Sequence, residues 1–145
     1  MSISVLLKRV HLFRNLNQEE LDEIATICRP VSLEAGELLI EQNTTGKEMY
    51  IIADGSVDVF IRGTDDERGL VLLGKGQVVG EMALIDQGFR SASVRATNEG
   101  ASLYRIDGDA FLTLCHEQNR IGFIVMRNLA VDVAFKLRHQ NLMEQ

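Results

Sequence analysis

The feature that most constrains this chain is the spacing of its glycines. Between Val31 and Ile106 they stand at positions 36, 46, 55, 63, 69, 74, 76, 80, 88 and 100, separating short runs rich in β-branched residues. This punctuation marks many short strands joined by tight turns, because glycine accepts the positive φ angles that sharp turns demand. Tyr50 to Ala53 and Val57 to Ile61 flank Asp54-Gly55, a pair that predicts a hairpin. Leu70 to Leu73 runs into Gly74-Lys75-Gly76. Ala92, Val94 and Ala96 alternate with Ser91, Ser93 and Arg95, and Leu103 to Ile106 supplies a last strand.

The flanking segments read as helical. Val5, Leu6, Val10 and Phe13 fit one apolar face, and Asn17 with Glu20 forms the pattern of a capping box opening a second helix. That helix carries Leu21, Ile24, Ala25 and Cys28, and Pro30, the only proline, ends it. After the strands, Asp107 is placed to cap a short helix bearing Phe111, Leu112 and Leu114. A longer helix from about Arg120 sets Met126, Ala130, Val133 and Leu137 on one stripe, with fraying expected from Gln140 to Gln145. The stripe reads first as core-facing, with a homodimer seam as the sharper alternative. The predicted fold is mainly β with flanking helices, organised as one domain over residues 1–145. It comprises a helical segment over 1–30, a jelly-roll-like antiparallel β-roll (a double-stranded β-helix) over 31–106, and C-terminal helices over 107–145.

Charge and composition remove several function classes. With 15 basic and 21 acidic residues the net charge is −6, a poor basis for nonspecific nucleic-acid binding. Cys28 and Cys115 stand far apart in no CxxC pattern, so the expectation is two reduced thiols in a cytoplasmic protein. No signal peptide and no membrane-spanning apolar run is legible. His11, His116 and His139 lack metal-ligand spacing, which speaks against a metal-binding barrel, and no Ser or Cys sits in a nucleophile elbow. The expectation is a protein that is not an enzyme and needs neither metal nor cofactor.

The chemistry concentrates in Gly80-Glu81-Met82-Ala83-Leu84, a short loop, and Arg90-Ser91-Ala92-Ser93-Val94. Gly80 permits a sharp turn, after which backbone amides can face an anion. Arg90 brings a planar fork suited to phosphate or carboxylate, and Ser91 a small hydroxyl. Glu81 would repel a bare phosphate. It fits a ligand that also carries neutral hydroxyls, and it is expected to pair with a nearby cation, Arg90. A structural Glu81–Arg90 ion pair with no ligand is the plain alternative. A sugar phosphate explains the three side chains together.

This segment resembles the phosphate-binding cassette of the cyclic-nucleotide-binding domain family, the fold of the catabolite activator protein and of protein kinase A regulatory subunits. The resemblance extends from Leu12, Phe13 and Leu16 through Gly36-Glu37, Tyr50-Ile51-Ile52, Gly55, Val57 and Gly74-Lys75-Gly76 to the C-terminal helix. It implies that Glu81 holds the ribose 2′-hydroxyl and Arg90 the cyclic phosphate. Backbone amides after Gly80, near Met82 and Ala83, would also reach the phosphate, and Ser91 would touch a phosphate oxygen or the base. Val79 and Phe89 depart from the family, which often has an aromatic before Gly-Glu and a proline or small residue before the arginine.

The resemblance further implies that a C-terminal helix residue covers the base, with Lys136, Leu137, Arg138 and His139 in the right part of the chain. Ser91 rather than threonine leans towards cyclic AMP, with cyclic GMP as the second candidate ligand. The implied function is a nucleotide sensor that moves its C-terminal helices to signal to a protein partner as yet unidentified. The alternative is a ligand-free interaction domain of the same fold. No helix-turn-helix follows the long helix in this sequence, so direct DNA binding is not expected, and neither is membrane association.

Overall fold

The computed structural model describes residues 2–144, the side chains of 141–144 excepted. The chain opens with α1 (Ile3–Arg9), whose cap Ser2 accepts a hydrogen bond from the Val5 amide. Of the expected apolar face Leu6, Val10 and Phe13 are buried, together with Leu7, and only Val5 is exposed. The face is not carried by one helix, because α1 ends at Arg9. Val10 is extended, and His11–Phe13 forms a separate 3-10 turn. The Asn17–Glu20 capping box is formed with both bonds at 2.9 Å, opening α2 (Gln18–Ala25). Arg120 also reaches Glu20, and that guanidinium holds the Glu20 carboxyl below the usual range.

The strands are β1 (Cys28–Leu33), β2 (Leu38–Ile40), β3 (Glu48–Arg62), β4 (Glu67–Gly74), β5 (Val78–Val79) and β6 (Ser93–Asp107). Every pairing is antiparallel, with the order β1-β6-β3-β4, β2 added to β6 and β5 added to β3. This is a β-roll between N-terminal and C-terminal helices. Pro30 does not follow the helix directly but lies within β1 opposite Tyr104, tolerated because β1 is an edge strand.

The hairpin expected at Asp54-Gly55 is absent: β3 runs through both residues. The pair forms a bulge instead, with register shifts between Ile52 and Asp54 and between Gly55 and Val57. Gly55 has φ +74° and faces Gly100 of β6, itself at φ +69°. A Cβ at Gly55 would stand 2.2 Å from the Gly100 carbonyl oxygen. Gly55 thus takes the positive φ that the pair predicts, but it bends two long paired strands rather than reversing one. For the same reason the two strands expected around Ala92–Ala96 and Leu103–Ile106 merge into β6.

β3 divides two apolar clusters. Met49 and Ile51 face a core shared with the helices, alongside Leu84, Ile106, Phe111, Ile121, Val125 and Leu129. Tyr50 and Ile52 face the interior of the roll with Val57, Val79, Val94 and Leu103. Alternate residues of one strand thus serve both cores, which is why four consecutive positions are buried.

Asp107 caps α3 (Gly108–Glu117), accepting from the Ala110 amide at 3.1 Å. Phe111 and Leu114 are buried and Leu112 is exposed. Gln118 breaks the helix before α4 (Asn119–Glu144). Helix continues to Glu144 where fraying was expected from Gln140, and Gln145 lies outside the described residues. The buried line of α4 is Ile121, Val125 and Leu129, with Asn128 donating to the Leu12 and Arg14 carbonyls at 2.9 Å each. The expected stripe is offset from it: Met126 and Val133 are half-buried, while Ala130 and Leu137 are exposed. Only the first half of α4 packs against α3 and the N-terminal turn, so the face towards them decides burial. Among the described residues no helix is long and apolar enough to cross a membrane.

Candidate functional site

β5 delivers the chain to Gly80, whose φ of +77° turns it into a 3-10 helix over Glu81–Leu84. Ala83 and Leu84 are buried and anchor this turn in the core. The Ala83 amide donates to the Gly80 carbonyl at 3.1 Å and closes the turn. The Asp86 side chain accepts from the Gly88 amide, and Phe89 bridges to Thr45. Arg90 is then fastened through its backbone, its N–H donating to Thr44 O at 2.7 Å and its carbonyl accepting from Asn43 N at 2.8 Å.

This backbone clamp leaves the Arg90 side chain only 10% exposed. Its Nη2 donates to the Glu48 carbonyl at 2.8 Å and to Glu48 Oε2 at 3.3 Å. The guanidinium lies in a slot between two glycines. A Cβ at Gly46 would stand 2.3 Å from Nε, and one at Gly80 would stand 2.7 Å from Nη1. A side chain at either position would push the guanidinium out of this place.

The expected pairing of Glu81 with Arg90 is not formed. Arg90 pairs with Glu48, and Glu81 Oε1 instead faces Lys136 Nζ of α4 at 3.9 Å. The structural Glu81–Arg90 ion pair is thereby also excluded. The reason is position: Glu48 begins β3 directly beneath the guanidinium, whereas Glu81 leaves the Gly80 turn towards α4.

Gly80, Glu81, Met82, Ala83, Arg90 and Ser91 all line one cavity of about 610 Å³, within the usual range for small-molecule sites. Its inner walls are apolar and come from the roll, including Ile40, Val59, Leu73, Val79 and Val94, and Lys136 stands at its rim. A largely buried cation beside apolar walls attracts an anion more strongly than an exposed one does, because less water screens the charge. A carboxylate on the same wall gives the cavity an acceptor for hydroxyl groups. The arrangement suits a phosphate ester with an apolar body and a hydroxylated middle.

Sequence reasoning missed Gly46 and Glu48. Gly46 reads only as turn punctuation and Glu48 carries no signal, because nothing local ties them to an arginine more than forty residues away. Lys136 was one of four adjacent candidates, and the structure brings it to the cavity.

A model of the cyclic nucleotide-binding domain matches residues 30–118. The chain is 33% identical over 132 residues to the cyclic AMP receptor protein of Thermus thermophilus, covering 90% of this chain and 59% of that protein. It is 33% identical over 111 residues to the cGMP-dependent protein kinase, isozyme 1, of Drosophila melanogaster, covering 74% of this chain and 14% of the kinase. The crystal structure of the Thermus thermophilus catabolite activator protein matches with a TM-score of 0.81 and 33% identity, covering 92% of this chain and 61% of that one. The chain thus spans less than two thirds of the length of these relatives.

Proposed function

Because the chain belongs to the cyclic nucleotide-binding domain family, a regulatory rather than catalytic family, we propose that it reversibly binds cyclic AMP and signals through its C-terminal helices. The observation that carries this reading is the Arg90 guanidinium, held in its glycine slot at the cavity wall. In this reading Arg90 takes the cyclic phosphate, with help from the Met82 amide. The first amides of a 3-10 turn have no acceptor within it. Ala83 keeps its own bond to Gly80 and contributes a wall.

Glu81 accepts from the ribose 2′-hydroxyl, and Ser91, which is exposed on the same cavity, adds a donor to the phosphate or base. Cyclic AMP is favoured over cyclic GMP by serine rather than threonine after the arginine. The chain acts as one domain, and α4, whose second half leaves the core, is the element available to a protein partner or to a second copy. Ligand shifts the population of α3 and α4 positions, because it binds one arrangement better than the other.

The test is calorimetric titration of the protein with cyclic AMP and cyclic GMP beside Arg90→Ala. Saturable binding lost in the variant supports the reading, and the tighter nucleotide identifies the base. A folded protein free of bound nucleotide that shows no heat with either overturns it in favour of a ligand-free interaction domain.

A further inference from the structure

Gly46, Lys47 and Glu48 form the stretch where the cavity meets the C-terminal helices, and the middle residue has no part in the reading above. Gly46 walls the Arg90 slot and Glu48 accepts from its guanidinium. Lys47 faces α3 instead. Its carbonyl accepts from the Gly108 amide at 2.7 Å, and its Nζ lies 2.8 Å from Asp109 Oδ2 and 4.0 Å from Asp107 Oδ1. The other Asp109 oxygen accepts from Gln87 Nε2 at 3.2 Å. One carboxylate in the first turn of α3 therefore gathers both the start of β3 and the loop that leads to Arg90.

The junction is tight. A Cβ at Gly108 would stand 2.5 Å from the Lys47 carbonyl oxygen and 3.4 Å from that of Ala83. Asp109 raises the affinity of Lys47 for its proton, and Lys47 lowers the Asp109 pKa, so both groups stay charged at neutral pH. The side chains are 45% and 57% exposed. A pair so exposed adds little to folding stability, so what it supplies is geometry.

We propose that Lys47 couples the nucleotide site to the C-terminal helices without itself holding ligand: through Asp109 it keeps the loop of residues 85–89 in register with the start of α3, so that a shift at Arg90 is passed to α3 and α4. The ligand-dependent half of this proposal rests on the nucleotide reading of the site, and the ligand-free half does not.

The experiment compares hydrogen exchange of the intact wild-type chain, Lys47→Met and Lys47→Arg, with and without saturating cyclic AMP, alongside calorimetric affinities. Without ligand, Lys47→Met should speed exchange in residues 85–90 by about threefold or more while the centres of β3 and β6 stay unchanged, and Lys47→Arg should restore the loop. With ligand, Lys47→Met should bind cyclic AMP within about fivefold of wild type and yet lose most of the nucleotide-induced change over residues 108–140. Unchanged loop exchange in Lys47→Met overturns the proposal, and so does a full helix response to bound nucleotide. If wild type binds no nucleotide, the proposed function falls. The ligand-free loop comparison then decides the role of Lys47 by itself.

Discussion

Arg90 commits one nitrogen, Nη2, to both acceptors of Glu48, while Nε and Nη1 lie against the two glycines. Replacing it by alanine should weaken cyclic nucleotide binding by about 2–5 kcal/mol, the usual loss on truncating one member of a buried charge pair. Arg90→Lys should recover little, because a point charge does not reproduce the fork. Gly46 gives a sharper test. Its φ is not positive, and the atoms nearest an added methyl all belong to the end of the Arg90 side chain, which can move. Gly46→Ala should therefore lower nucleotide affinity by tenfold or more while changing stability by less than about 1 kcal/mol. Calorimetry beside denaturant unfolding reads both quantities, and unchanged affinity would show that the slot does not position Arg90 for ligand. Glu81 is separable from both: Glu81→Ala should chiefly erase the preference for ribose over 2′-deoxyribose. Equal binding of the two sugars by the unmutated protein would remove it from that role.

Among the elements, β3 and β6 carry the molecule, and the bulge at Gly55 and Gly100 lets two strands of 15 residues each curve into a roll. A hairpin at Asp54-Gly55 would tolerate asparagine at the glycine, since asparagine accepts positive φ in turns. A bulge with a carbonyl oxygen 2.2 Å from the added Cβ would not. Both Gly55→Ala and Gly55→Asn should accordingly destabilise by more than about 1 kcal/mol in chemical denaturation, because the native backbone suits neither residue. A tolerated asparagine would contradict the bulge. α4 shows the same dependence on partners. Its anchor is Asn128, buried and donating twice to the N-terminal turn. Asn128→Ala leaves the Leu12 and Arg14 carbonyls without that donor and should cost about 1–3 kcal/mol.

At the scale of the whole molecule, what could be read from sequence followed how locally each signal is written. The Asn17–Glu20 box, the Asp107 cap and the Gly80–Ser91 cassette each fit within a dozen residues, and the structure forms both caps and brings the six cassette positions to one cavity. The partition of α4 into a buried and an exposed half, the merging of four expected strands into β3 and β6, and the Gly46–Arg90–Glu48 contact all depend on residues distant in the chain. Local periodicity is silent about such neighbours. The cavity, by contrast, draws on the roll, the cassette and α4 at once, so a ligand bound there is linked to the folding of all three. A ligand that binds only the native state stabilises it by about 2.7 kcal/mol at one hundred times its dissociation constant. For a chain of this length that corresponds to a rise of roughly 5–10 °C in Tm. Thermal unfolding with and without cyclic AMP should show this rise in the wild-type protein. It should be nearly abolished in Arg90→Ala and kept in Lys47→Met, whose binding is left nearly intact. Equal rises in wild type and Arg90→Ala would mean that the nucleotide binds elsewhere. The second opening, of about 750 Å³ between α4 and the roll near Arg9, Lys75 and Phe135, would then be the place to look.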